Sequence, residues 1–420
     1  MVTLLGWATS GTYPEPAQAY RLGMDGTVAP GFEPVADAFA ANFADPGELG
    51  AAAAVVVDGR SVVDLWGGLA DAHTESPWAG DTPVLVYSAT KGPTATCALL
   101  LWERGLLDLD APVAGVWPEF AAAGKAVVTT RHLLTHQAGL PVFDEPITFT
   151  ECHDPDLVAA RLAAQTPHWE PGTAHGYHPL TWGWLVGEVV RRVSGRTVGT
   201  MVAEELAGPL GLDLWVGLPP EREASVARLA TGQFDLGDMS PDDPGLTFLA
   251  AIMDIESLTF RAFANPPGQL DVESFNAPEL HQAEWPAANG IATARALATL
   301  YGELALDRVL SQATLDEASS AQVSGPDRVL AVETSFGLGF SLHSVMTGPG
   351  GRSDRHSSGG SPMTANGAGS FGHEGAGGSV AFADRSKGLG FAYVMNQLTA
   401  SLGADRRARR LVEAVYSCLS

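Results

Sequence analysis

The sequence predicts an α+β fold: an antiparallel sheet flanked by helices, with a mainly helical lobe inserted between its two halves. Three observations carry this. Near the start, AAAAVVV (51–57), Asp58-Gly59 and SVVDLWGG (61–68) form a hairpin pattern, because Asp-Gly supplies the positive φ that a two-residue turn needs. Near the end, GGSVAFADR and GLGFAYVMNQ form a second hairpin around Ser386-Lys387-Gly388. Between the hairpins the apolar residues recur with helical rather than strand period. Residues 1–82 and 285–420 are therefore expected to form the sheet-containing lobe, and 83–284 the helical one.

The elements follow in order. EPVADAFAANF (33–43) has the spacing of an amphipathic helix. A helix follows Ser88; Gly92 and Pro93 fit its first turn and Gly105 ends it. TTRHLLTHQAGLP predicts a short helix closed by Gly139 and Pro141. Residues 154–165 and 181–194 are helical, the latter capped by Gly195. A helix over 197–207 should end before Pro209. The stretch 235–284, mixed and rich in Pro, Asp and aromatics, is expected to wrap the site. Helical period returns at 292–305, and a last helix covers 402–416. The tract 347–370, dense in Gly, Ser and Pro, predicts a mobile loop poorly ordered or covering the cleft.

Composition excludes several classes of function. Of 420 residues 45% are hydrophobic and 17% charged, enough apolar content for a sizeable core. A net charge of −24 repels phosphate backbones and anionic membranes, so no nucleic-acid partner is expected. No window is long and apolar enough to span a membrane, and MVTLLGWATSG lacks the basic residue of a secretory signal. Cys97, Cys152 and Cys418 make an odd number and no disulfide framework, which favours a reducing, cytoplasmic compartment.

The chemistry centres on Ser88 and Lys91 in LVYSATKG. The chain holds 26 Ser and 3 Lys, and this is its single S-x-x-K. Residues i and i+3 share a helix face, so the amine can meet the hydroxyl. A serine needs a base to take its proton, and a lysine kept partly neutral can be that base where an arginine cannot. S-x-x-K is an acyl-transfer signature.

With YSATKG (87–92), RHLLTHQAGLP (131–141), WEPGTAHGYHPLTWGWLVGEVVRRVSG (169–195) and GHEGAGG (372–378), the chain resembles the penicillin-recognising serine hydrolases. It is most similar to the branch of class C β-lactamases and β-lactamase-like carboxylesterases. The resemblance spans about 35–415 and implies a β-lactamase/transpeptidase-like fold, no cofactor and no metal. It implies that Tyr177 is a second base whose anionic form a nearby ammonium favours, and that the backbone N–H groups of Ser88 and Ala376, the latter on a strand, form the oxyanion hole. The third motif, K-T-G in relatives, is His373-Glu374-Gly375 here. Gly375 would admit substrate close to the strand edge, and His373 would bond a substrate oxygen or Tyr177. His178 and Trp285 complete the expected substrate-binding set. The residues themselves, Phe248, Phe260, Phe263 and Trp285, read either as a greasy acyl pocket or as core. The family's Y-x-N reads Tyr177-His178-Pro179, without the asparagine that contacts lysine and acylamino group. Simple esters with short or medium acyl chains are therefore expected to be better substrates than β-lactams.

Other readings stay open. No G-x-S-x-G supports a Ser-His-Asp hydrolase. His132 and His136 lack the Glu of H-E-x-x-H, although His168, His175 and His178 cluster. A catalytically inactive binding module can share the fold. The acyl acceptor could be water, an amine or an alcohol, giving an esterase, an amidase or lactamase, or a transacylase. The substrate is a small ester or amide; oligomeric state is not readable.

Overall fold

The computed structural model describes residues 23–44, 48–232, 244–267, 271–343, 369–399 and 405–419. Its main sheet has ten strands. In spatial order they are Met24–Val28, Arg60–Asp71, Gly50–Val57, Leu389–Met395, Val380–Asp384, Ser370–Glu374, Ser341–His343, Glu333–Phe336 and Val323–Pro326, with Ser76–Pro77 paired to Arg60–Asp71. The neighbours run antiparallel. The α+β expectation holds, and the sheet joins both ends of the chain: Gly50–Val57 pairs with Leu389–Met395 from Ala51↔Met395 to Val57↔Leu389. Both strands are buried nearly throughout, which explains why they read as continuous apolar runs rather than alternating ones.

The Ala294–Ala305 helix packs on these two central strands. A Cβ on Gly390 would lie 2.2 Å from Ala298 O and Gly302 N, so glycine there sets the helix–sheet spacing. The C-terminal helix, Arg406–Cys418, packs against Glu33–Ala44. On the other side the helix Lys91–Glu103, buried along almost its whole length, lies against both the Thr181–Ser194 helix and the strand Ser370–Glu374. A three-stranded sheet joins Val84–Leu85, Ile291–Ala292 and Leu214–Trp215 and leads the chain into Ser88.

Two helix ends differ from expectation. The helix at Thr130 stops at Leu134, because His136 takes a positive φ of 60° and turns the chain early. The run from Val198 passes Pro209: Val198–Met201 widens into a π-helical stretch, Val202–Ala207, and closes with Gly208–Leu210. Proline lacks an N–H, but in a short terminal turn that donor is not needed. The tract 347–370 lies outside the described residues except for Gly369 and Ser370. No helix among the described residues is long and apolar enough to cross a membrane.

Candidate active site

Ser88 is presented by strained backbone. Val86 N–H donates to Gly290 O, after which Tyr87 adopts φ 47°, ψ −131°, a sparsely populated conformation costing about 1–3 kcal/mol. Thr90 holds it: its N–H and Oγ1 both donate to Tyr87 O, and Gly290 N–H donates to Thr90 Oγ1. The Tyr87 ring turns into the core against Phe275, centroids 4.8 Å apart. Ser88 is half-buried within an otherwise buried run, at the head of a tight turn that continues into the Lys91 helix.

Lys91 is completely buried. Its Nζ lies 3.2 Å from Ser88 Oγ and donates to Pro179 O at 2.8 Å and Ala287 O at 3.1 Å. Burial holds its pKa well below the ordinary lysine value. A neutral amine has two hydrogens and one lone pair. With both hydrogens on carbonyls, the lone pair faces Ser88.

Tyr177 Oη donates to Ser88 Oγ at 2.8 Å. Its phenol is pushed up, chiefly by burial, against the lowering effect of the Ser88 bond. Burial disfavours the charged form of both groups, which runs against the expected tyrosinate beside an ammonium. The Tyr177 ring lies 4.9 Å from His136, 6.1 Å from Phe336 and 6.4 Å from Phe263, and Lys91 Nζ sits 4.7 Å from its centroid.

The strand Ser370–Glu374 passes close by. A Cβ on Gly375 would stand 2.2 Å from Val86 O, so this glycine admits the chain's own backbone rather than a substrate. Contrary to the sequence expectation, Ala376 does not lie on the strand. It opens a tight turn, Ala376–Gly378, because Gly377 and Gly378 take φ of 85° and 128°. The Ser88 and Ala376 amides stay out of the backbone pairing that engages Ala89, Thr90, Gly375 and Gly378.

A profile of the Beta-lactamase family matches residues 35–415. The chain belongs to that family of serine hydrolases. It is similar to the esterase/β-lactamase LipL of Mycobacterium tuberculosis, 38% identical over 390 residues, 90% of this chain and 84% of LipL. A penicillin-binding protein homologue from Caulobacter crescentus superposes with a TM-score of 0.79 at 39% identity, covering 94% of this chain and 100% of that one. A family VIII carboxylesterase does so with a TM-score of 0.80 at 36% identity, again over 94% and 100%.

Within this member of the Beta-lactamase family, several expected site residues have other surroundings. His373 is buried; its Nδ1–H donates to Glu374 O at 2.7 Å and its ring centroid lies 5.8 Å from that of Tyr177. Burial and the nearby Lys91 push its pKa down to about 3, so it is a neutral imidazole and not a cationic anchor. His178 is corrected from a substrate contact to scaffold. Its Nδ1–H donates to Gly176 O at 2.6 Å and its Nε2 accepts from Leu140 N–H at 3.0 Å, which uses both ring nitrogens. Trp285 is likewise a core residue, 1% exposed, with its ring 5.3 Å from Trp184 and 5.0 Å from Phe149. An indole buries more apolar area there than on a cleft wall, and the loop beyond it delivers Ala287 O to Lys91. Phe263 and Phe248, ring centroids 5.6 Å apart, pack beside Tyr177; Phe248 is buried, and Phe260 and Phe263 are half-buried.

The other histidines weighed as metal ligands have separate partners. His136 Nδ1 accepts from His178 N–H, His132 Nδ1 accepts from Thr129 N–H, His168 pairs with Asp144 and His175 bonds Thr334. Asp327 was not singled out from sequence. Its buried carboxylate accepts Tyr177 N–H at 3.0 Å and the N–H groups of Val329 and Leu330 at 2.8 Å, fixing the backbone that carries the phenol. Pro326-Asp327 is a local turn signal, but nothing local ties it to a residue 150 positions earlier.

Proposed function

We propose that the chain is a carboxylesterase for short or medium acyl esters, working through an acyl-enzyme on Ser88. One observation carries this: Ser88 Oγ lies between the buried Lys91 amine, whose pKa burial holds well below the ordinary lysine value, at 3.2 Å and the Tyr177 phenol at 2.8 Å. Lys91 takes the Ser88 proton as Oγ attacks the ester carbonyl. The Ser88 and Ala376 amides receive the oxyanion. Collapse expels the alkoxide, which takes the Tyr177 proton, and the lysine ammonium returns its proton to the tyrosine. Water then reverses these steps and releases the acid.

The neutral His373 and the missing asparagine of the Tyr177 motif favour simple esters over β-lactams, because a β-lactam brings a carboxylate and an acylamino group that these positions do not serve. The similarity to a family VIII carboxylesterase supports an ester as substrate. The two segments 1–82 and 285–420 on one side, and 83–284 on the other, are taken as the cleft's walls. Cytoplasmic location fits three unpaired cysteines, two of them buried.

Incubation with p-nitrophenyl butyrate and an early quench tests the proposal. The intact mass should rise by one butyryl group, with peptide mapping placing it on Ser88, and Ser88→Ala should abolish both label and turnover. Label on another residue would refute it. The kcat/KM for this ester should exceed that for a chromogenic cephalosporin; the reverse order would overturn the ester preference.

A further inference from the structure

A second buried ionic cluster lies behind the Ala376–Gly378 turn. Asp405 caps the C-terminal helix by accepting Arg407 N–H at 2.8 Å. The Arg407 guanidinium bonds Asp405 Oδ2 at 2.6 Å, Glu48 Oε1 at 3.3 Å, Gln397 O at 3.0 Å and Gly377 O at 2.9 Å. Gly377 O also accepts Thr399 N–H at 3.1 Å, and Thr399 Oγ1 donates to Asp405 Oδ2 at 2.7 Å. Glu48, Asp405 and Arg407 are all buried.

Such a cluster is a poor device for stability alone, since desolvating the charges offsets most of their attraction and apolar packing would serve as well. What apolar packing would not provide is a donor fixed on the carbonyl of Gly377. The turn contains two consecutive glycines at positive φ and has few side chains to hold it. It is instead seated from outside: a Cβ on Gly377 would lie 2.4 Å from Leu398 Cδ2, and one on Gly378 2.3 Å from Asp405 Oδ2.

We propose that Arg407, oriented by Asp405 and Glu48, is a positioning residue that aims the Ala376 amide at the developing oxyanion by holding the Gly377 carbonyl. This rests on the reading of the Ser88 and Ala376 amides as the oxyanion donors. An amide held slightly off its direction loses part of the effect of a whole donor, whose removal costs about 10²–10³ in kcat.

The test compares the full-length wild type with Arg407→Lys and Arg407→Met on p-nitrophenyl butyrate, normalising rates to sites titrated by the acylation burst. An alkyl trifluoromethyl ketone, whose serine adduct carries an oxyanion, is measured as inhibitor. For Arg407→Met, kcat per titrated site should fall about 10–100-fold with KM within about 3-fold, and Ki for the ketone should rise by the same factor as kcat falls. Arg407→Lys, which keeps a donor, should recover part of both. Fewer titrated sites with unchanged kcat per site and unchanged Ki would mean a structural role only and overturn the proposal. If neither Arg407 variant folds, Thr399→Val decides it: kcat per site and Ki must shift in the same sense, and no shift refutes the proposal. A wild type whose Ser88 is not labelled by a serine-directed phosphonate would overturn the acyl-enzyme reading as well.

Discussion

Replacing Lys91 separates a general base from a mere positive charge. Its Nζ gives hydrogens to Pro179 O and Ala287 O, so one tetrahedral position remains, and Ser88 Oγ occupies it at 3.2 Å. Burial holds the amine's pKa well below the usual 10.5, which favours the base form relative to a free lysine. Lys91→Met keeps most of the volume and removes the lone pair. General acid–base catalysis contributes about 10²–10⁴, so acylation per folded site should fall by that factor, roughly 3–5 kcal/mol of barrier. The variant also leaves two buried carbonyls without their donor, at about 1–3 kcal/mol each, partly offset by no longer burying an amine. Rates must therefore be read on protein shown to be folded by melting and circular dichroism. Lys91→Arg restores a cation but no proton acceptor near neutral pH and should be as slow as Lys91→Met. The pH profile supplies the sign. A base must be unprotonated, so wild-type kcat/KM should rise with pH through the Lys91 pKa and then level off, and neither variant should show that limb. Pre-steady-state acylation with p-nitrophenyl butyrate from pH 5 to 9 measures this. A Lys91→Arg enzyme acylating within about 3-fold of wild type would refute the lysine as base and leave it an electrostatic role.

Two further outcomes are expected. Tyr177→Phe removes the donor on Ser88 Oγ and the proton for the leaving group, so hydrolysis of an alkyl butyrate should fall about 10²-fold or more; p-nitrophenyl butyrate, whose leaving group needs no proton, should lose markedly less, and equal losses would contradict the acid role. Glu48 is pushed up to about 7, mainly by burial and against the pull of Arg407. The folded state thus keeps a proton that the unfolded chain releases near 4.5, so wild-type stability should fall as pH rises from about 4.5 to 7, by about 3 kcal/mol. Glu48→Gln, which cannot ionise, should flatten that decline and melt higher than wild type at pH 8, and urea unfolding at pH 5 and 8 would expose the opposite result.

How much of this was legible in the sequence depends on how local each feature is. The Asp58-Gly59 and Ser386-Lys387-Gly388 hairpins carry their own turn chemistry, and both form where their residues place them. The helix end at Leu134 was misplaced because the positive φ of His136 is imposed by packing against Tyr177 and Phe336, not by a local glycine. Pro209 is a stop signal in a regular α-helix, whereas the π-helical stretch before it shifts the pairing. Trp285 looked like a pocket wall because an aromatic residue near a site reads the same in sequence whether its ring faces the cleft or the core. No local pattern marks Asp327 or Arg407, since their partners, Tyr177 and Gly377, are distant along the chain.

The amino-acid sequence by itself determined the α+β class, the family and the meeting of Ser88 with Lys91, because a spacing of three within one helical turn fixes that geometry without help from elsewhere. It also named Tyr177, through the turn and helix residues around it. The tertiary structure alone decided which of these groups carries a proton. The Lys91 pKa is held down because Tyr177, Pro179, Trp182 and Ala287, drawn from two distant segments, enclose it. The same exclusion of water keeps the Tyr177 phenol intact and the His373 imidazole uncharged. Desolvation is a property of the assembled interior, and no local pattern of residues encodes it.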